Sequence, residues 1–267
     1  MPNPSTSTPA PDPMKKGDAP LYQNLIEQPS GLAIKGSVPS FSRIVKNMTD
    51  SVPVSAGKLP KFQTQRIPSE KITRVYLVRH GEVSAEWHDR IYGQLDVPLS
   101  DAGQAQAEAL GRRMEARRID AVYASDLSRA MDTASALARL HGRPVKPVRA
   151  FREASFGHWQ GLSWAEILER HGDEVRARSA DFGGAKMKDG ESLEELAARV
   201  LPALREIVAK HPGESIVVAA HGGVTRVIIA DALGMDYSAC ARIEQSHCCL
   251  NTLDYLPGRV YVRLLNG

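Results

Sequence analysis

The sequence predicts an α/β domain, a three-layer α/β/α sandwich around a largely parallel sheet, preceded by a flexible N-terminal extension. Three observations carry this reading. Short apolar runs such as Val75–Val78 and SIVVAAH at 215–221 have strand length without polar alternation, as strands covered on both faces do. Helical stripes alternate with these runs from residue 71 onward. Residues 1–70, opening PNPSTSTPAPDP, are rich in Pro, Ser and Thr and bury too little apolar surface to offset their ordering entropy.

Within the extension one piece departs from its surroundings. Ser40 can cap a short helix over 41–48, with Phe41, Ile44, Val45 and Met48 on one face. Nine or so residues are marginal as a free helix. The segment reads as a nascent turn lying on the main domain, or as a piece that docks on a partner or a membrane surface. In the domain itself, Val75–Val78 is the first strand and a loop runs through residue 99. Ser100 then caps DAGQAQAEALGRRMEARR, where Ala102, Ala105, Ala109, Leu110 and Met114 form a stripe. AVYAS is the second strand, Leu127–Leu140 a helix ended by HGRP, and PVKPV at 144–148 a short strand. Residues 192–210 place Leu193, Leu196, Ala197, Val200, Leu204, Ile207 and Val208 on one face despite Pro202, which should bend the helix. Gly222 and Gly223 lead from 215–221 into a helix at Val224–Leu233, and strands near 249–256 and 259–265 flank the turn Pro257-Gly258.

Charge and cysteine content exclude several function classes. The extension holds eight Lys/Arg against five Asp/Glu, leaving 26 of the chain's 34 and 26 of its 31 in residues 71–267. A balanced domain lacks the clustered basic face of a nucleic-acid binder, and no nucleic-acid partner is expected. No apolar run approaches the ~20 residues of a membrane span, and the first thirty residues carry no apolar signal region, so a cytoplasmic protein is expected. Cys240, Cys248 and Cys249 are odd in number and lack metal-type spacing, as small core residues of a reducing compartment would be.

The chemistry gathers at the strand ends. In open α/β sheets ligands bind beyond the carboxyl ends of the strands, and two strands end there in His-Gly: LVRHG at 77–81 and AAHGG at 219–223. A third, continuing into SDLSRA, delivers Arg129 in the first turn of the next helix. Arg79, Arg129, His80 and His221 therefore meet where helix N-termini also point, a pocket suited to a tetrahedral dianion such as phosphate.

The ordered set LVRHGE (77–82), YGQLDVPLSDAG (92–103), SDLSRAMDTA (125–134), REASFGHWQG (152–161), DGES (189–192) and AAHGG (219–223) resembles the histidine phosphatase superfamily, the phosphoglycerate-mutase-like proteins. It covers roughly residues 72–265, making 71–267 the histidine phosphatase domain. The resemblance implies His80 as a nucleophile that forms a phosphohistidine, with Arg79, Arg129 and His221 gripping the phosphoryl oxygens. It implies Glu153 as the proton donor, since a carboxylic acid beside bound phosphate holds its proton, and His221 with it among the catalytic groups. No cofactor and no metal are implied, in keeping with the absence of a Gly-x-x-x-x-Gly-Lys loop. Gly93, Gln94 and Gly222 fall at phosphate-binding or substrate-binding positions of the family. Glu82 is expected to orient Arg or His side chains.

Two departures matter. Relatives carry Thr/Ser-x-Trp-Asn after RHGE, the asparagine reaching phosphate; here VSAEWH is one residue longer, leaving His88 or Ser84 for that role. His141, His158, His171, His211 and His247 are assigned to surface or structural positions. Where mutases have an arginine and a hydroxylated aromatic after the proton donor, this chain has Ala154 and Phe156, which favours hydrolysis over transfer. The expected activity is a metal-independent phosphomonoesterase acting on a small phosphorylated metabolite, similar to the small and α-ribazole phosphatases. Mutase-type transfer, or a protein-phosphohistidine phosphatase that engages a partner through residues 1–70, are the alternatives. The segment 162–190 reads as a polar specificity loop in which Arg176, Arg178, Lys186 and Lys188 could meet a second anionic group.

Overall fold

The computed structural model describes residues 71–267; the stripe at 41–48 lies outside them. Six strands form one sheet: β1 (Thr73–Arg79), β2 (Ala121–Ala124), β3 (Val145–Pro147), β4 (Ser215–Ala220), β5 (Leu250–Leu256) and β6 (Arg259–Leu264), in the order β3-β2-β4-β1-β5-β6. The first three pairings along that order are parallel. β5 and β6 join antiparallel. Five helices accompany them: α1 (Asp101–Met114), α2 (Ser128–Leu140), α3 (Trp164–Ala180), α4 (Leu193–Ala209) and α5 (Gly222–Leu233).

The uninterrupted apolar strands have the expected cause. Successive side chains of a strand point to opposite faces, and in β1 both sets are buried. Val75 and Leu77 pack with Leu196, Val200 and Leu204 of α4 and Val224 and Val227 of α5. Tyr76 and Val78 pack on the other face with Leu110 and Met114 of α1 and Ala134 and Leu137 of α2. The sheet is thus the middle of three layers, with a separate core on each side.

Helix boundaries follow side-chain capping. Ser100 accepts from Gly103 N to start α1, and Ser163/Glu166 and Ser192/Glu195 form capping boxes at α3 and α4. α4 runs through Pro202; burying its Leu and Val side chains, at ~1.5–3 kcal/mol each, outweighs the ~3 kcal/mol proline cost. Two expectations are corrected. The segment 162–190 is mainly helix α3, whose capping box and buried Ile167 and Val175 supply what its polar surface hides; His171 departs from helical geometry inside it (φ −132°, ψ 26°). The helix after β4 begins at Gly222, two residues earlier than expected; His221 precedes it without a side-chain cap, and the first turn is closed by Thr225 N donating to His221 O at 2.9 Å. All three cysteines are free thiols. Among the described residues no helix is long and apolar enough to cross a membrane.

Candidate active site

Register places the two strand-end histidines side by side. β1 and β4 are parallel with Arg79 opposite Ala220, and His80 N donates to Ala220 O at 3.0 Å. The imidazoles of His80 and His221 emerge with ring centroids 5.2 Å apart. His80 Nδ1 lies 2.7 Å from Gly81 O. A carbonyl only accepts, so the ring proton sits on Nδ1 and Nε2 keeps its lone pair. Gly81 is required by space, not by a left-handed backbone: a Cβ there would stand 2.5 Å from Gly103 O in the first turn of α1.

Around this ring lie two guanidinium groups. Arg129 is fully buried; its Nη1 donates to Leu95 O (2.8 Å), its Nη2 to Gly93 O (2.6 Å), and its guanidinium stands 4.9 Å from the Tyr92 ring centre. Arg79 Nη1 donates to Gln245 O and its Nη2 lies 3.0 Å from His247 Nε2. Among the buried nitrogens with no protein partner are Arg79 Nε, Arg129 Nε and both ring nitrogens of His221. Leaving such donors unmet costs ~1–3 kcal/mol each and more when charged. A tetrahedral oxyanion meets several at once.

Electrostatics keep the imidazoles neutral. Burial, then Arg129, His221 and Arg79, hold His80 well below the ordinary histidine value; burial, Arg129 and Arg79 do the same to His221. Burial and Arg79 push His247 down to about 3. A neutral Nε2 is a nucleophile; an imidazolium is not. The same shifts set acid stability. Below the unfolded value near 6.5, the unfolded chain takes up protons that these buried rings refuse, so stability falls as pH falls from there toward the depressed native values. The expected slope is about 1.4 kcal/mol per pH unit for each of His80 and His221. Urea midpoints measured between pH 7 and 5 check this, and a flat series would contradict it.

Glu153 reaches the pocket from the loop after the 3-10 turn Arg149–Phe151. Its Oε1 accepts from Ala154 N (2.9 Å), and both carboxylate oxygens face Gly223 N at 3.0–3.1 Å in the first turn of α5. The backbone of Glu153 is fixed in turn: its carbonyl accepts from Gln94 Nε2 (3.0 Å) and Arg199 Nη2 (2.8 Å). Arg199 also forks onto the Glu191 carboxylate at 2.7 and 2.8 Å.

The structure therefore gathers His80, Arg79, Arg129, His221 and Glu153, with Gly222 close beside Arg79 and Glu153. Gly93 and Gln94 take part through Arg129 and the Glu153 backbone, by a carbonyl and a side-chain amide already engaged within the protein. The His88 ring is exposed, and its Nε2 donates to Val83 O at 2.8 Å; Ser84 donates its hydroxyl to Glu86, so both side chains are already engaged within the protein. Among the described residues Glu82 pairs with no arginine; its Oε1 accepts from the Ser100 hydroxyl at 2.8 Å, beside the cap of α1, and lies 3.9 Å from His88 Nε2. Sequence reasoning missed His247, whose ring centre is 5.8 Å from that of His80, together with Tyr92 and Arg199. Arg199, eight residues after Glu191 in α4, had a signal in its place off the apolar stripe; His247 had none.

Residues 75–267 match the family model described as histidine phosphatase superfamily (branch 1). The chain belongs to the histidine phosphatase superfamily. Among curated members of this superfamily, the chain is 40% identical over 169 residues to the metal-independent phosphoserine phosphatase of Arabidopsis thaliana, covering 61% of this chain and 69% of that protein. It is 33% identical over 172 residues to the glucosyl-3-phosphoglycerate phosphatase of Mycolicibacterium vanbaalenii, covering 62% and 76%. A vanadate complex of a mycobacterial glucosyl-3-phosphoglycerate phosphatase superposes with TM-score 0.67 at 30% identity, covering 73% of this chain and 98% of that one. A putative α-ribazole-5′-phosphate phosphatase of Escherichia coli gives 0.68 at 26% identity, covering 73% and 96%. Like these relatives, the histidine phosphatase described here is an enzyme of phosphatase type.

Proposed function

We propose that the protein hydrolyses phosphomonoesters of small metabolites through a phosphohistidine on His80, without a metal ion. The observation that carries this is the buried His80 ring, tied through Nδ1 to Gly81 O and surrounded by unpartnered donors of Arg79, Arg129 and His221. In the first step Nε2 attacks phosphorus in line as the P–O ester bond breaks, and Glu153 gives its proton to the leaving alkoxide. The arginines and His221 meet charge on the non-bridging oxygens. In the second step Glu153 takes a proton from water, whose oxygen attacks phosphorus as the P–Nε2 bond breaks, releasing inorganic phosphate and returning His80 to its neutral form.

Hydrolysis is favoured over mutase transfer by Ala154 and Phe156, both buried and apolar where a mutase grips a carboxylate. Phosphoserine and glucosyl-3-phosphoglycerate, named for two relatives, guide the choice of substrates to try. We place catalysis in residues 71–267 and the enzyme in the cytoplasm, where its three thiols stay reduced. The test is phosphate release from p-nitrophenyl phosphate, O-phosphoserine and 3-phosphoglycerate in EDTA. Release from at least one ester, with no 2-phosphoglycerate formed from 3-phosphoglycerate, is expected; isomerisation without net release would sink the hydrolase reading.

A further inference from the structure

Away from the His80 pocket, three side chains form a second constellation. His158 stands on the 3-10 turn Gly157–Trp159, and His171 and Glu174 on α3. Glu174 Oε1 lies 3.2 Å from His158 Nε2 and 3.3 Å from His171 Nδ1. One donor atom from each of the three lies within 4.8 Å of the other two, and all three residues are half-buried. Metal–ligand bonds of ~2.0–2.2 Å in a tetrahedral site set neighbouring donors ~3.3–3.5 Å apart. Two of the three edges already have about that length.

The protonation pattern supports a cation here. His158 Nδ1 faces Lys188 O at 3.1 Å, and a carbonyl can only accept. A neutral His158 ring therefore carries its proton on Nδ1 and turns the Nε2 lone pair toward a carboxylate oxygen. Either a second ring proton or a metal ion between the two resolves that opposition. His171, three residues before Glu174 and the residue at which α3 leaves helical geometry, faces the same oxygen. A carbonyl behind one imidazole, fixing its tautomer, is the outer support that metal-binding histidines carry.

We propose that His158, His171 and Glu174 bind a late first-row divalent ion such as Zn²⁺, with water completing the shell. Two imidazole nitrogens and one carboxylate suit such ions and not Mg²⁺ or Ca²⁺. None of the three shares a hydrogen bond, ion pair or ring contact with His80, Arg79, Arg129 or His221, so the ion stands outside phosphoryl transfer. It would fasten α3 to the turn that follows Glu153 and to the Lys188 backbone, already joined by His158 N donating to Lys188 O.

Zinc titrated calorimetrically into chelator-stripped full-length protein tests this, with Co²⁺ as a spectroscopic probe and Mg²⁺ as a control. Expected are one tight zinc equivalent, visible cobalt d–d bands of a low-coordinate site, no magnesium heat, and at least a tenfold loss of zinc affinity in His158→Ala, His171→Gln and Glu174→Gln. His171 and Glu174 lie at a half-buried surface, so the folding of their variants, checked by circular dichroism, keeps the comparison clean. Unchanged affinity in those variants, absence of binding, or loss of the site in His221→Ala instead, which would place the ion in the phosphate pocket, overturns the proposal.

Discussion

His80→Ala is expected to lower kcat on every phosphomonoester by on the order of 10⁴-fold or more, the scale seen when an attacking nucleophile is removed. Binding survives better than turnover, because Arg79, Arg129 and His221 remain to hold the phosphate. Phosphoenzyme trapped by acid-free quenching in wild type should vanish in the variant, separating a lost covalent step from general damage. His80 packs against His221 and His247 and contributes no hydrogen bond to the sheet through its side chain, so the variant should keep its circular dichroism. A variant that retains both turnover and label would move the nucleophile elsewhere.

Glu153→Gln should cost ~10²–10⁴-fold in kcat, the usual worth of a positioned proton donor, on alkyl phosphates. The amide keeps an acceptor for Gly223 N but can neither give a proton to the leaving group nor take one from water. p-Nitrophenyl phosphate, whose phenolate departs without protonation, should still phosphorylate the enzyme and then stall, since the same carboxylate activates water. The readout is a burst of nitrophenol near one equivalent followed by slow turnover. Gly223→Ala should reproduce this discrimination from a distance of one residue type: its Cβ would stand 2.4 Å from Glu153 Oε1, and displacement of a catalytic group by ~1 Å costs about 10²-fold. Equal losses on alkyl and aryl esters, without a burst, would remove Glu153 from proton transfer.

The pocket's strand-end half was legible because sheets have rules. A continuous apolar run ending in His-Gly marks a buried parallel strand and its carboxyl edge, and two such runs place His80 and His221 together once β1 and β4 pair. Arg129 was legible as the first-turn residue after a third strand. His247 was not, because it lies between the 3-10 turn Tyr237–Arg242 and β5, where neither a 2- nor a 3.6-residue period constrains the chain. α3 was missed for a related reason: between its ends its charged residues hide the few buried positions, Ile167 and Val175, that dock it. The ring of His88 lies against Val83 O, a local hydrogen bond that spacing alone cannot reveal.

The central place of β1 has a consequence for how the enzyme comes into being. Its two sheet neighbours, β4 and β5, are drawn from positions 215–220 and 250–256, so the strand bearing His80 waits for partners some 140 to 180 residues downstream. Contacts that distant in sequence are slow to close. During synthesis, a nascent chain ending before β4 has made His80, Arg79, Arg129 and Glu153 but lacks the strand that stands between β1 and β2 in the sheet, and with it His221. Phosphate affinity should therefore arise late and abruptly along the ribosome's path, and products truncated within α4 should be inert.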